Sequence, residues 1–177
     1  MPEAGPVGVD PARFRQLMAR WATGVSVVTT RHEDRDRGLT VNAFLSVALD
    51  PPTVLVSLQR DADTLPVLAR AGHFGVSLLA ADQRALSERF ARTLPAPEKF
   101  AGVALHRGPA GSPLLDGHIG ALECRVVDQR PVHDHVLVLG EVVHVEPGRD
   151  APPLIFFRSG YAEAEGADHL RLAPGRG

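Results

Sequence analysis

Residues 38–58 constrain the fold of this chain more than any other segment. They predict two β-strands separated by a Pro-Pro pair, because proline cannot donate a hydrogen bond inside a sheet. The first strand carries the small polar residues Thr40, Asn42 and Ser46, where a sheet normally packs apolar side chains. Small residues let a flat ligand approach the backbone closely, so this strand is a candidate wall of a binding site.

The remaining periodicity predicts a mainly antiparallel β-barrel of six or seven strands with short helices. Apolar residues at helical spacing predict a first helix over residues 11–22, with Asp10 as its N-cap. The mostly apolar run 54–58 predicts a strand buried on both faces. Further helices are expected over 64–71 and 82–91, and further strands over 25–30, 74–79, 121–127, 136–145 and 154–157. No Gly-x-Gly-x-x-Gly motif follows a strand, which argues against a Rossmann domain.

A length of 177 residues suits one domain, with an expected core over residues 11–161 and flexible segments at 1–10 and 162–177. The net charge of −2 provides no electrostatic footprint for nucleic acid or an anionic membrane. No uncharged apolar stretch reaches the roughly 20 residues that span a bilayer, and no signal-peptide pattern is evident. Cys124 is the only cysteine, which excludes an internal disulfide and is compatible with a cytoplasmic location.

An ordered set of short motifs resembles the flavin reductase family, whose members use FMN or FAD on an FMN-binding split β-barrel. The family pattern Gly-x-Thr-x-(Ser/Asn)-(Ala/Ser)-Phe-x-Ser, followed by Asp-Pro-Pro, is matched by residues 38–46 and 50–52. Later motifs of the family are matched by Phe90-Ala91, Glu98-Lys99-Phe100, Asp134-His135 and Gly140-Glu141-Val142. The resemblance covers residues 11–161 and therefore most of the chain.

The resemblance implies an NAD(P)H:flavin oxidoreductase. A hydride would pass from NADH or NADPH to FMN or FAD, and the reduced flavin would serve a separate monooxygenase. It also implies a homodimer with flavin near the subunit interface. Two alternatives stay open: a non-catalytic flavin-binding or storage protein on the same fold, and a related oxidase of pyridoxamine phosphate. The oxidase is disfavoured, because the sequence shows no cluster of Arg and Lys suited to a second phosphate.

The first candidate site is the polar strand. By the resemblance, its backbone N–H groups would stabilise negative charge on the pyrimidine edge of the flavin ring when that ring is reduced. The residues expected to contact the flavin are Thr40, Val41, Asn42, Ala43, Phe44 and Ser46. The alternative is an edge strand with a polar outer face.

The second candidate site is the start of the helix over 64–71, where unpaired N–H groups suit a phosphate. The residues expected to bind there are Ser57, Leu58, Gln59, Arg60 and Thr64. The family usually has Ser-x-Thr here, whereas this chain has Ala62-Asp63-Thr64, so Arg60 and backbone amides would do more of the binding. In the alternative, Asp63 is a simple N-cap and Arg60 is a surface charge.

The third candidate is His135, which by the resemblance lies near the flavin and the nicotinamide and orients the hydride donor. It is the expected catalytic residue. His133 and His135 would also point the same way on a strand, but a zinc site needs three or four ligands, and the spacing recruits neither His118 nor His144. No metal is therefore expected. A His135 that only hydrogen-bonds within a turn is the remaining alternative.

The fourth group consists of Phe90, Arg92, Phe100 and Tyr161. By the resemblance, the loop between Phe90 and Phe100 borders the flavin and covers the nicotinamide. Arg158 and Tyr161 match the terminal Arg-x-x-Tyr of the family and by the resemblance line the same pocket from either subunit. The alternative is a helix end with two core aromatics. Cys124 lies in an apolar run and is expected to be a small buried residue rather than a nucleophile.

Overall fold

The structure is a computed structural model that describes residues 8–162. The strands in this range are β1 (Thr23–Gly24), β2 (Ser26–His32), β3 (Arg35–Val41), β4 (Phe44–Leu49), β5 (Pro52–Gln59), β6 (His73–Leu78), β7 (Leu105–Arg107), β8 (Pro113–Leu115), β9 (Gly120–Val132), β10 (His135–Pro147), β11 (Ile155–Phe157) and β12 (Gly160–Ala162). The helices are α1 (Pro11–Met18), α2 (Thr64–Ala71), α3 (Arg84–Ala91) and α4 (Ala96–Phe100), with a 3₁₀ turn at Ala81–Gln83. The flexible termini expected from the sequence fall mostly outside the described residues.

The predicted mainly antiparallel β fold is confirmed. Seven strands form one antiparallel sheet in the order β3-β2-β6-β9-β10-β5-β4. A second sheet has the order β1-β11-β12, and β7 pairs with β8. None of the helices between residues 8 and 162 has the length and apolar character needed to cross a membrane.

Two clusters of buried apolar side chains fill the interior. The larger cluster lies inside the seven-stranded sheet, and its members include Val28, Val56, Leu58, Phe74 and Cys124. The smaller cluster lies beneath α3, α4 and the second sheet, and its members include Leu79, Phe90 and Leu154. Because the side chains of a strand alternate between its two faces, a strand that lines one of these clusters points every second residue away from that cluster.

The prediction that residues 54–58 are buried on both faces is wrong. Burial alternates along β5: Val54, Val56 and Leu58 are buried, whereas Leu55 and Ser57 are only half-buried. Leu55 is apolar although it lies on the outer face, so the composition of this run did not reveal the alternation. The outer face of β5 is therefore open to a ligand or a partner.

The first helix is shorter than predicted and buries none of its residues. Asp10 caps it as expected, since its carboxylate accepts the N–H of Ala12 at 2.9 Å, but the helix ends at Met18 rather than at residue 22. The apolar side chains that share one helical face are exposed: Phe14, Leu17, Met18 and Trp21. The described part of the chain therefore leaves much of this apolar surface uncovered.

The other helices follow the capping rules. Helix α2 has the predicted bounds and ends where Gly72 adopts a φ of 71°, which glycine reaches without strain. The segment between Phe90 and Phe100, expected to be a loop, contains Pro95 and Pro97 and forms the five-residue helix α4. Proline in the first turn of a helix costs no hydrogen bond, because the first N–H groups have no partner within the helix. These prolines therefore favour a helix start as much as a loop.

Candidate functional site

A cavity of about 880 Å³ lies beside the first predicted site. Its walls include the segment Asn42–Phe44, which joins β3 to β4, and the run Trp21–Ser26 around β1. Apolar side chains such as Leu79 and Leu154 complete the lining. A mostly apolar cavity of this size with a few polar groups is typical of a site for a small ring-containing molecule.

Three polar side chains line this cavity, those of Thr23, Ser26 and Asn42. The Ser26 hydroxyl already donates to the carbonyl of Val41 at 3.0 Å. The Thr23 hydroxyl is buried and has no hydrogen-bond partner among the residues that the structure describes. A buried hydroxyl without a partner costs free energy, so Thr23 is available to bond with a molecule in the cavity.

The outer face of β5 extends from the cavity toward residues of the second and third candidate sites. Leu55 lines the cavity, and Ser57 and Gln59 follow on the same face, because residues two apart on a strand point the same way. The N–H of Ser57 donates to the carbonyl of Ala43 at 3.0 Å. On the neighbouring strand, His135 pairs directly with Gln59. The fold thus places members of the first three groups along one face of the sheet.

His135 lies at the end of this face, beside a shallow groove. Its Nδ1 is 2.9 Å from the Asp134 carboxylate, and this hydrogen bond lowers the pKa of Asp134. When Nδ1–H donates to Asp134, the neutral ring presents Nε2 as an acceptor. The N–H of Arg60 donates to the Asp134 carbonyl at 2.9 Å, which holds the groove together. The groove is lined by Gln59, Arg60, Asp61, His133 and Asp134.

The two phenylalanines of the fourth group lie in or against the smaller core. Phe90 is fully buried, and its ring meets that of Phe100 edge to face with centroids 5.0 Å apart. Both rings lie against Gly38, where an added Cβ would come within 2.9 Å of Phe90 and 3.2 Å of Phe100. The glycine of the first motif is therefore needed for packing against these rings.

Thr40 and Tyr161 hold the same region together from two sides. The Thr40 hydroxyl donates to the Ser87 carbonyl at 2.6 Å, and the Ser87 hydroxyl lies 2.8 Å from the Tyr161 hydroxyl. These bonds fasten α3 to β3 and β12. Arg92, just beyond the end of α3, is exposed. In this structure the fourth group and Thr40 support the site rather than line the cavity.

The start of α2 carries a small group of charges. Asp63 stands at the N-cap position but makes no capping hydrogen bond, and its carboxylate is instead 3.5 Å from Nε of Arg37. Thr64 is buried, with its hydroxyl 3.4 Å from the same carboxylate. Lys99 is only 6% exposed, its Nζ donates to the Gly38 carbonyl at 3.2 Å, and burial lowers its pKa.

The remaining predicted residues lie outside the cavity lining. Val41 and Leu58 are buried in the larger core, and Ser46 is exposed on β4. Cys124 is buried, as predicted, and burial raises its pKa to about 12. Its thiol therefore stays protonated at neutral pH and is a poor nucleophile.

Three histidines surround the carboxylate of Glu146. The Nε2 atoms of His118, His106 and His144 lie 2.7, 3.0 and 3.5 Å from its oxygens. The fold thus brings together His118 and His144, which the sequence spacing did not connect. The imidazoles bond to the carboxylate rather than converge on one point, and residues 8–162 contain no group of three His, Cys, Asp or Glu side chains that could hold a metal ion.

The pH dependence of stability should report on His106. Its hydrogen bonds to Asp116, at 2.8 Å, and to Glu146 raise its pKa. A pKa raised in the folded state gives stability that is present below the unfolded pKa and is lost as pH rises through the folded value. The melting temperature of the wild type should therefore exceed that of His106→Gln most near about pH 6, and the difference should shrink toward about pH 9. Thermal melts of both proteins in a pH series measure this, and a constant difference would contradict it.

Comparison with known proteins supplies the family. Residues 18–165 match the family model described as flavin reductase like domain. The reductase component of 4-hydroxyphenylacetate 3-monooxygenase from Thermus thermophilus is 41% identical over 148 residues, which cover 84% of this chain and 93% of that protein. An NADH-dependent flavin reductase from Rhodococcus is 38% identical over 89% of this chain and 88% of that protein.

A solved relative shares the fold. An NADH:FAD oxidoreductase of Streptomyces globisporus, in complex with NAD and FAD fragments, has a TM-score of 0.83 at 32% identity and covers 92% of this chain and 99% of its own. The fold and the cavity define a small, mainly antiparallel β protein with an apolar cavity beside the polar strand. The chain belongs to the flavin reductase like domain family, and the resemblance found in its motifs is confirmed.

Two parts of the site were not predicted from the sequence. The run Trp21–Ser26 lines the cavity, and its only sequence signal was an aromatic residue followed by small residues after the first helix. Lys99 was noted only as part of a motif, although a lysine this deeply buried is rare unless it is paired. In both cases the surroundings that matter come from residues distant in the chain.

Proposed function

We propose that this chain is an NAD(P)H:flavin oxidoreductase whose cavity beside Asn42–Phe44 holds the ring of FMN or FAD. The observation that carries the proposal is the unpartnered hydroxyl of Thr23 in a mostly apolar cavity of about 880 Å³. A flavin ring is flat, largely apolar and polar along one edge, so it suits such a cavity. The flavin reductases among the relatives support the same chemistry.

In this proposal the protein binds and orients, and the flavin carries the redox chemistry. When bound, the flavin would supply the redox chemistry, as the group that takes a hydride from NADH or NADPH. Thr23 and Asn42 offer polar contacts to the ring, and the outer face of β5 guides the rest of the nucleotide. From Leu55 to Arg60 an extended strand covers about 17 Å. A phosphate at that end would lie near the Arg60 guanidinium.

His135 is proposed to orient the hydride donor from the end of β10. Because orientation acts on the hydride step more than on flavin binding, His135→Ala should lower kcat about tenfold and change the flavin Kd less than about twofold. His32→Ala, a half-buried histidine in the β2–β3 hairpin, is the matched control and should keep both values. Steady-state kinetics and flavin fluorescence titration measure the two quantities. An unchanged kcat would remove His135 from this role.

The decisive experiment measures NADH and NADPH consumption by the purified protein with FMN, FAD, riboflavin or no flavin. Oxidation that rises with added flavin supports the reductase and ranks its substrates. Flavin binding without oxidation for any pair would favour a flavin-binding or storage protein instead. If the protein shows no flavin binding and no NADH or NADPH oxidation, the assignment of the cavity to flavin is overturned.

The chain is also proposed to form a homodimer. Two elements expose apolar side chains: Leu45, Val47 and Leu49 on β4, and Phe14, Leu17 and Trp21 in and after α1. Apolar surface of this kind is stabilised when a partner covers it. Leu45 and Trp21 also line the cavity, so a second copy seated here would help to enclose it. Light scattering should give about twice the 18.9 kDa of one chain, and a single-chain mass would remove the proposal.

The relatives also suggest which protein uses the reduced flavin. The Thermus relative is named as the reductase component of a monooxygenase. We therefore expect reduced flavin to diffuse from this chain to a separate monooxygenase. We place the chain in the cytoplasm, where nicotinamide nucleotides are available and a lone cysteine stays reduced. We expect residues 11–161 to act as one flavin-reductase domain.

A further inference from the structure

A groove of about 430 Å³ with three arginines in its walls lies at the C-terminal end of α1. Arg15 and Arg20 come from the helix and the turn after it, and Arg158 comes from the turn between β11 and β12. Within residues 8–162 these three have no acidic side chain at ion-pair distance. The arginines that form ion pairs in this range are Arg31, Arg37, Arg84, Arg107, Arg125, Arg130 and Arg149.

Arg158 is held in position before any ligand binds. Its backbone N–H donates to the Ala19 carbonyl at 2.7 Å, and its guanidinium lies over the ring of Phe157 at 5.2 Å from the centroid. Arg158 and Ser159 both have positive φ values, 51° and 61°, where Asn and Gly cost less. An arginine at a backbone position that disfavours it points to a use for its side chain.

We infer that this groove binds the phosphates of the nicotinamide hydride donor, which is an adenine dinucleotide. Guanidinium groups present paired donors that match phosphate oxygens. Their three positive charges outweigh the partial negative charge at the end of a helix, which is about half a unit charge. The inference rests on the proposed function, because it takes the ring of the same class of nucleotide to lie in the neighbouring cavity.

The position of the groove supports a dinucleotide. Met18 and Trp21 line the cavity, while Arg15 and Arg20 of the same segment line the groove. A dinucleotide carries its phosphates one sugar unit away from its reactive ring, so a phosphate site belongs beside the ring site. No cluster of basic residues is visible in the sequence, because Arg158 is far from Arg20 along the chain and only the fold joins them.

The test compares wild type with Arg158→Gln and with the double variant Arg15→Gln/Arg158→Gln. Calorimetric titration with NAD⁺, NADP⁺, FAD and FMN gives the affinities without turnover. The Kd of NAD⁺, of NADP⁺ or of both should rise about tenfold in Arg158→Gln and further in the double variant, while that of FMN, which lacks the adenylate half, stays unchanged. Wild-type dinucleotide affinity should also fall more steeply with added salt than that of the variants.

The arms of the experiment separate the two sources of phosphate. A rise confined to NAD⁺ and NADP⁺ supports the hydride donor as the ligand of the groove, whereas a rise confined to FAD overturns the inference. Arg70→Gln removes the same charge from the exposed side of α2 and should change none of the four Kd values. Equal Kd values in all variants at equal melting temperatures overturn the inference. If the wild type binds dinucleotides in the groove but never oxidises NADH, the proposed function fails and the groove stands.

Discussion

Replacing Gly24 with phenylalanine should abolish flavin-dependent NADH oxidation while leaving the fold intact. Gly24 lines the cavity, and a Cβ built at this position meets nothing within 4 Å. The backbone therefore tolerates a side chain, and the added ring takes the space that the flavin ring needs. We expect kcat/KM to fall at least about 100-fold, which corresponds to about 2.7 kcal/mol of lost transition-state stabilisation.

The control for this experiment is Gly8→Phe. Gly8 also has open space around its Cβ position but does not line the cavity. This variant should keep the activity and the flavin affinity of the wild type, and both variants should keep its melting temperature. If Gly24→Phe retains more than about a tenth of the wild-type activity with unchanged flavin affinity, the flavin ring does not bind in this cavity.

A large loss of stability is expected from Gly140→Ala. Gly140 is buried in β10, and a Cβ there would lie 2.5 Å from Cζ of Phe74 and 2.7 Å from Cβ of Cys124. Both neighbours are fully buried, so neither can move into solvent. Overpacking of this severity should cost about 3 kcal/mol, and for a chain of this size the melting temperature should fall by about 6 to 12 °C.

A second substitution tests the cause of that loss. In the double variant Gly140→Ala/Phe74→Leu, the ring atoms that clash with the new methyl group are gone, so the two changes together should cost less than the sum of their separate effects. Gly24→Ala, a strand glycine with open space, should leave the melting temperature within about 2 °C of the wild type. Strict additivity of the two changes would contradict the proposed clash.

The sequence contains the motifs of the family but does not show why each residue in them is required. Gly38 and Gly140 both matched the family pattern, but only the packed structure shows that each faces an aromatic ring with no room for a Cβ. The exposed apolar face of α1 shows the opposite case. Helical spacing indicates which of its residues share a face, but it does not indicate what that face contacts.

The candidate site likewise contains some residues that the sequence predicted and others that only the structure shows. Asn42, Ala43 and Phe44 were predicted to bind a ligand, and they do line a cavity. Thr23, which lines that cavity with a free hydroxyl, was missed because its importance depends on what surrounds it. Phe90 was predicted in the site but packs in the smaller core. An aromatic residue in a motif serves packing or binding equally well until its neighbours are known.

By itself, the sequence determined the family, the mainly antiparallel β fold and the segments from which the site is built. These properties follow from local features: alternation along strands, turn residues and short motifs read in order. Only the tertiary structure decided which residues face the cavity, that three histidines share Glu146, and that Arg15, Arg20 and Arg158 meet in one groove. These are contacts between residues far apart in the chain, and strand pairing and packing of the whole fold set them rather than local preference.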